Sequence, residues 1–156
     1  MIAYYELVEN LKIHLQADAE INTVKIGSVS EADLNKRAIF ALANILVVNA
    51  TFMSGVVTFD VTVSVMDLVD ENKEGLDNLP AVERWKGWDN RQDVLNTTLS
   101  VLERLHNSIR KGTLSEYGYE VDEDMLAEPF EDSFENLLTG WSTTFTITIP
   151  NTIQNC

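Results

Sequence analysis

The nine residues from Val57 to Val65 constrain the fold of this chain more than any other segment. Apolar and polar residues alternate strictly along them: the apolar set is Val57, Phe59, Val61, Val63 and Val65, and the polar set is Thr58, Asp60, Thr62 and Ser64. Because successive side chains of a β-strand point to opposite faces, this pattern predicts a strand with one face on a core. The other face then meets solvent or a neighbouring molecule.

A second strand is predicted immediately before this one, over residues 45–52, where β-favouring residues follow one another. Between the two strands, Met53-Ser54-Gly55 has the composition of a tight turn. The two strands therefore form a long antiparallel hairpin, and the edge of that hairpin is available for strand pairing between subunits.

Two segments show the spacing of amphipathic helices. The first ends between residues 17 and 20, and its apolar stripe is Tyr4, Leu7, Val8, Leu11 and Leu15. The second begins at a cap on Asp89 or Asn90 and ends at Gly112. Its apolar stripe is Val94, Leu95, Leu99, Leu102, Leu105 and Ile109.

Further strands are predicted over residues 24–26, 117–121, 126–130 and 141–149, the last from alternation of apolar with Ser and Thr residues. The predicted fold class is α+β: a mostly antiparallel sheet with a long β-hairpin, packed on two main α-helices. Residues 1–150 are expected to form a single domain, followed by a short polar tail at 151–156. A polar connection over residues 69–90 separates the hairpin from the second helix.

The charge of the chain limits its partners. It has 25 acidic and 11 basic residues, a net charge of −14. Such a chain repels the phosphate backbone, so ordinary nucleic-acid binding is not expected. The acids indicate either a soluble surface or a surface past which DNA moves without binding. Because no run of 18 apolar residues occurs, no membrane partner is expected.

The residues that usually carry chemistry do not form a recognisable motif. The two histidines, His14 and His106, have no metal-ligand spacing, and the single cysteine, Cys156, has no nearby base. Asp67, Asp70 and Glu71 follow a strand, as ligands of metal-dependent hydrolases do, which leaves that reading as a minor alternative. We expect no catalytic residue, no metal and no cofactor.

The residues suited to partner binding lie in two places. Thr58, Asp60, Thr62 and Ser64 form the polar face of the predicted strand. Trp85 and Trp88 lie in the polar 69–90 connection, and tryptophan is a frequent anchor of protein interfaces. These residues are the predicted subunit or partner interface. An alternative reading is an adaptor that binds one partner through the Trp85/Trp88 loop.

The order of these patterns resembles the tail terminator, or tail-completion, proteins of long-tailed phages. Those proteins have a helix ending in a D-x-x-I/L-x-x-V stretch, a long hairpin with an x-F-x-V-x-V strand, a second helix and a closing strand. The matching segments are Leu15–Val24, Val57–Val65, Arg91–Leu105 and Trp141–Ile149. The segment Asp33–Ile45 also resembles virion neck and tail proteins of gut phages, including the crAss-like group.

The resemblance implies a structural virion protein that is not an enzyme. It implies a homo-oligomeric ring at the head–tail junction, the neck or the tail end, assembled in the host cytoplasm. The implied partners are further copies of the chain, portal or connector proteins, and the tail tube. Genomic DNA would pass through the ring without specific binding. The extended 69–90 connection and the acidic 116–135 segment depart from the family pattern, and the choice between tail terminator and neck connector stays open.

Overall fold

The residues described by the computed structural model, which are 2–28, 40–69, 71–72, 88–122, 124–133 and 138–150, form an α+β fold. This confirms the predicted fold class. In chain order the elements are α1 (Ile2–Ala17), β1 (Thr23–Ile26), β2 (Leu42–Met53), β3 (Val56–Leu68), β4 (Glu71–Asn72), β5 (Trp88–Asp89), α2 (Arg91–Lys111), a 3-10 helix (Thr113–Tyr117), β6 (Glu120–Val121), β7 (Ala127–Ser133) and β8 (Leu138–Pro150).

The main sheet has six strands in the order β1-β2-β3-β8-β6, with β7 also paired to β8. All its pairings are antiparallel except that of β1 with β2. β2 and β3 form the predicted hairpin, which is longer than the sequence pattern indicated. Gly55 in the connecting turn has a φ of +77°, a conformation that glycine adopts without strain.

The alternation along β3 corresponds directly to burial. Val57, Phe59, Val61, Val63 and Val65 are each at most 1% exposed, and they face the two helices. The same core contains residues of α1 (Leu7, Leu11, Leu15), of α2 (Val101, Leu102, Leu105, Ile109) and of β8 (Phe145, Ile147, Ile149). Helix α1 contacts β1 and β2, whereas α2 contacts β3 and β8. Both helices of the described part of the chain therefore lie on one face of the sheet, and neither covers the other face.

Three specific contacts fix the helices and the central strands. Trp141 on β8 donates its indole Nε1–H to the carbonyl of Leu95 in α2, at 2.8 Å. Arg104 of α2 forms two hydrogen bonds with Asp18, which follows the end of α1. Gly140 allows β8 to approach β3 closely, because a Cβ atom there would lie 2.0 Å from the carbonyl oxygen of Val65.

The second helix buries four of the six residues of the predicted stripe, Val94, Leu102, Leu105 and Ile109, but the stripe is wrong in part. Leu99 is 38% exposed, while Thr98 and Val101 are buried. The sequence pattern was misleading because Thr98 is polar. Its hydroxyl donates to the carbonyl of Val94, four residues earlier at 2.7 Å, so it enters the core with its hydrogen bond satisfied. The helix begins after Asn90 as predicted, but Asn90 makes no side-chain capping hydrogen bond.

The predicted strand at 117–121 is largely wrong. Its first part belongs to the 3-10 helix Thr113–Tyr117, which ends at Gly118 with a left-handed φ of +75°, and only Glu120–Val121 pairs with β8. The hydroxyl of Ser115 donates to the carbonyl of Gly112 and favours the helical turn. The strand predicted at 126–130 is present as β7. Over the described part of the chain, neither α-helix combines the length and apolar character needed to cross a membrane.

Candidate subunit interface

The polar face of β3 lies on the side of the sheet that the helices leave uncovered. As the alternation predicted, the polar residues of β3 all point to this side: Thr58, Asp60, Thr62 and Ser64. The apolar residues that alternate with them face the core. Their register partners on β8 are also short polar residues. We call this set the open face: Thr58, Asp60, Thr62 and Ser64 on β3, and Ser142, Thr144, Thr146 and Thr148 on β8.

Hydrogen bonds between the two strands hold the side chains of the open face in place. The hydroxyl groups of Thr62 and Thr144 lie 2.8 Å apart, and those of Ser64 and Ser142 lie 2.9 Å apart. The hydroxyl of Thr146 donates to a carboxylate oxygen of Asp60 at 2.5 Å. These three pairs follow one another in the β3–β8 register, so their side chains are held in place before any partner binds.

The open face ends at Ser64 and Ser142, on the side away from the hairpin turn. Beyond Ser64 and Ser142, the same side of the sheet carries a second, smaller apolar cluster of Leu42, Met66 and Leu138, packed against Phe40, Leu68 and Phe130. Asn44 lies next to Ser64 in the register and is only 2% exposed. Its side-chain oxygen accepts no hydrogen bond from the residues that the structure describes. The accessible area is therefore the half of the sheet that leads to the hairpin turn.

The outer part of β2 forms a second accessible surface beside the open face. β1 pairs with β2 only from Leu42 to Ile45, and the last bond on this side joins the Gly27 N–H to the carbonyl of Ile45. None of the described residues pairs with Leu46–Met53 on the side away from β3. We call this segment the free edge. Several of its apolar side chains are exposed, led by Phe52 at 69% and Val48 at 56%.

The free edge lacks two of the three features that normally prevent strand addition. Natural sheets protect exposed edges with charged side chains, proline or bulges. The sequence carries no charged residue and no proline from Ala38 to Phe59, although nearly a quarter of the whole chain is charged. One bulge lies between Val47 and Asn49, and the strand continues regularly beyond it. The uncharged run is a signal for this edge in the sequence, and it is separate from the periodicity of apolar residues.

Most of the Trp85/Trp88 loop lies outside the described residues. Trp85 lies outside the described residues, as do the polar tail at 151–156 and most of the 69–90 connection. For Trp88 the backbone alone is described. It lies in β5, which pairs with β4 through Asn72 opposite Trp88 and Glu71 opposite Asp89. This two-stranded ladder joins the two ends of the connection close to the start of α2.

The candidate chemical groups form no metal-binding cluster among the described residues. No cluster of three or more His, Cys, Asp or Glu side chains occurs within the described ranges. Asp67 belongs to β3, and burial raises its pKa, although the Leu68 N–H donates to its carboxylate and opposes the shift. Asp70 and Cys156 lie outside the described residues. The Nε2 atom of His106 lies 3.4 Å from the carbonyl oxygen of Asp122.

A shallow groove of about 420 Å³ lies between the end of α1 and α2, lined by His14, Ala17, Asp18, Ala19, Glu20 and Arg104. Burial lowers the pKa of His14, and the charge of Arg104 acts in the same direction against the opposing effect of Asp18. Two of the ionic groups that line the groove, Asp18 and Arg104, pair with each other. The groove therefore has a structural role in joining the helices.

No protein-family model and no curated protein matches this chain.

Proposed function

We propose that this chain is a structural virion subunit that forms a homo-oligomeric ring at the head–tail junction, neck or tail end of a tailed phage. The observation that carries the proposal is the open face, an ordered polar surface that the helices leave uncovered beside an uncharged strand edge. The resemblance described above supplies the phage context. The ring joins or completes the tail and allows DNA to pass through its lumen.

The open face is suited to contact with another protein. Serine and threonine side chains lose little rotamer freedom on binding, and those of Thr62, Ser64 and Thr146 are already fixed by cross-strand hydrogen bonds. Flat sheet faces of short side chains also allow close approach over a broad area. Asp60 is the one charged residue of the set and gives the face a polarity that can select a partner.

Ring closure requires contacts between two different surfaces of each subunit, repeated around an axis. In our proposal the open face and the hairpin provide one of these surfaces, and they also contact portal, connector or tail-tube proteins. The net charge of −14 then serves DNA passage, because acidic groups around a lumen repel the phosphate backbone. Specific DNA contacts play no part in this function.

The direct test is to locate the protein in purified phage particles and to image the purified chain, alone and with its tail-tube or connector partners. We expect rings by electron microscopy and a position in the neck or at the tail end. Absence of the protein from particles that contain the other neck and tail proteins would overturn the proposal.

A matched pair of variants tests the surface. Thr62→Arg places a long cation in the middle of the open face, whereas Gln16→Arg places one on the exposed side of α1. We expect the first variant to fold but to assemble poorly, and the second to assemble normally. Equal assembly of both variants would exclude the open face as the ring contact.

A further inference from the structure

We infer that, before assembly, the free edge of β2 pairs with the free edge of a second copy of this chain. The two strands run antiparallel about a two-fold axis at Thr51. This goes beyond the ring proposed above, because it concerns the unassembled subunit and a two-fold contact. The starting observation is that β2 extends beyond β1 by eight residues, Leu46–Met53, and exposes backbone groups and apolar side chains together.

Charge argues for a second copy as the occupant. Two chains that each carry a net charge of −14 repel each other over most of their surfaces, so they associate most easily where neither chain carries an acid. The free edge lies within the uncharged run from Ala38 to Phe59. It is therefore a surface on which self-association costs little electrostatic energy.

The opposite side of the sheet is unsuited to strand addition. There β7 pairs with β8, and its sequence contains Glu128, Pro129 and Glu131. Proline removes a backbone donor and the acids repel a second acidic chain, so this edge is protected. A head-to-tail contact between β2 of one copy and β7 of the next is disfavoured for this reason, which leaves the pairing of β2 with β2.

The side chains of the regular part of the free edge complement themselves. Beyond the bulge, Ala50 is in register with Phe59 and Phe52 with Val57, so both Ala50 and Phe52 point to the helix side of the sheet. A two-fold axis at Thr51 places Phe52 of each copy opposite Ala50 of the other. A large side chain then lies beside a small one, and Met53 lies opposite Asn49 on the other face.

This pairing continues the main sheet across the axis and covers the exposed ring of Phe52. Since one pair of short strands buries less than the ~1,200 Å² of a standard interface, the dimer should be weak and concentration-dependent. Its role is to shield an aggregation-prone edge until the subunit meets its assembly partners.

Analytical ultracentrifugation of the purified full chain tests the dimer, over micromolar to millimolar concentrations. We expect a reversible monomer–dimer equilibrium that Phe52→Lys abolishes, because the charge opposes strand addition at an edge. The matched control is Tyr5→Lys, since Tyr5 on α1 is 68% exposed and Phe52 is 69% exposed. A chain that remains monomeric throughout, or a Phe52→Lys variant that dimerises as well as wild type, overturns the inference.

Cysteine cross-linking tests the position of the axis. In a Cys156→Ser background, Thr51→Cys places the two thiols directly opposite each other, whereas Met53→Cys separates them by four residue steps, about 13 Å. Under mild oxidation we expect the first variant to form a disulfide-linked dimer about tenfold faster, because its thiols have a high effective concentration. Leu126→Cys, at a site that is 74% exposed, reports random collision. Equal rates at all three positions overturn the proposed axis.

The outcomes for this dimer and for the proposed ring are distinguishable. Rings in phage particles, together with a strictly monomeric free subunit, would remove the two-fold contact and leave the ring intact. A dimer cross-linked through Thr51, in a protein that is absent from phage particles, would support the edge contact and remove the phage function.

Discussion

The pairing of Asp18 with Arg104 supports a quantitative prediction about how the two helices are joined. The guanidinium of Arg104 donates from Nε and Nη2 to the two carboxylate oxygens of Asp18, at 2.7 and 2.8 Å. One of these oxygens also accepts the backbone N–H of Glu20, at 3.0 Å. The perturbation is the double-mutant cycle of Asp18→Ala and Arg104→Ala, which isolates the coupling between the two side chains.

The magnitude follows from the burial of the two partners. The Asp18 side chain is 7% exposed and the Arg104 side chain is 48% exposed. Fully exposed pairs contribute about 0.2–1 kcal/mol, whereas hydrogen bonds to charged groups contribute about 1.5–3 kcal/mol. Because solvent screens the half-exposed arginine, we expect a coupling energy of about 1 kcal/mol. Asp18→Ala alone should cost more, since it also removes the bond to Glu20.

The pH dependence of this coupling has a definite sign. Burial opposes ionisation of Asp18, but the hydrogen bonds from Arg104 and the Glu20 N–H outweigh it and lower the pKa of the carboxyl group. A carboxyl whose pKa is lower in the folded state contributes stability that is complete above its unfolded pKa. That stability is lost as pH falls through the folded pKa. The coupling should therefore be present at neutral pH, begin to weaken near the unfolded pKa of about 3.9, and be lost below the folded pKa.

Urea denaturation of the four proteins of the cycle, at pH 7 and at pH 3, measures both effects. The control is the same cycle on Glu9 and Lys12 of α1, which lie 3.6 Å apart with side chains 38% and 32% exposed. We expect a coupling near zero for this control pair. A coupling for Asp18 and Arg104 that is also near zero at pH 7, or that is unchanged at pH 3, would refute the reasoning.

Three further predictions concern the sheet. Gly140→Ala should destabilise the fold by about 3 kcal/mol or more, because its Cβ would lie 2.0 Å from the Val65 carbonyl oxygen and force β3 and β8 apart; an unchanged melting temperature would contradict this. Trp141→Phe removes the hydrogen bond to the Leu95 carbonyl and should lower the free energy of unfolding by about 1–2 kcal/mol, measured by urea denaturation. Asn44→Leu should raise the free energy of unfolding by about 1 kcal/mol and so raise the melting temperature, because it replaces a buried oxygen that accepts no hydrogen bond within the described residues. A lower melting temperature would show that the amide makes an essential contact.

The elements that could be predicted from the sequence are those whose pattern is long and local. The strict alternation in β3 and β8 determined which residues face the core, and so placed Thr58, Asp60, Thr62 and Ser64 on one face. Short elements carried too little pattern. The strand predicted at 117–121 is in fact the end of a 3-10 helix followed by a two-residue strand. Gly118, in a left-handed conformation, separates the two elements, and the pattern of apolar residues contains no sign of this break.

The parts that could not be predicted depend on contacts between distant residues. The free edge exists because β1 pairs with β2 only as far as Ile45, and no local pattern states where a four-residue parallel strand ends. The contact of Arg104 with Asp18 joins residues 86 positions apart. The buried side of α2 includes a polar residue, Thr98, that the predicted apolar stripe did not contain. Thr98 enters the core because its hydroxyl donates a hydrogen bond within the helix.

The position of β3 between β2 and β8 has a consequence for synthesis of the chain. β3 can pair with β2 as soon as the hairpin emerges from the ribosome, but its other partner, β8, follows about seventy residues later. At ordinary rates of translation this interval lasts several seconds, much longer than a hairpin needs to form. During that time β3, which supplies five fully buried residues of the core, has one unpaired side, so nascent chains are most vulnerable to misassociation between the completion of β3 and the arrival of β8.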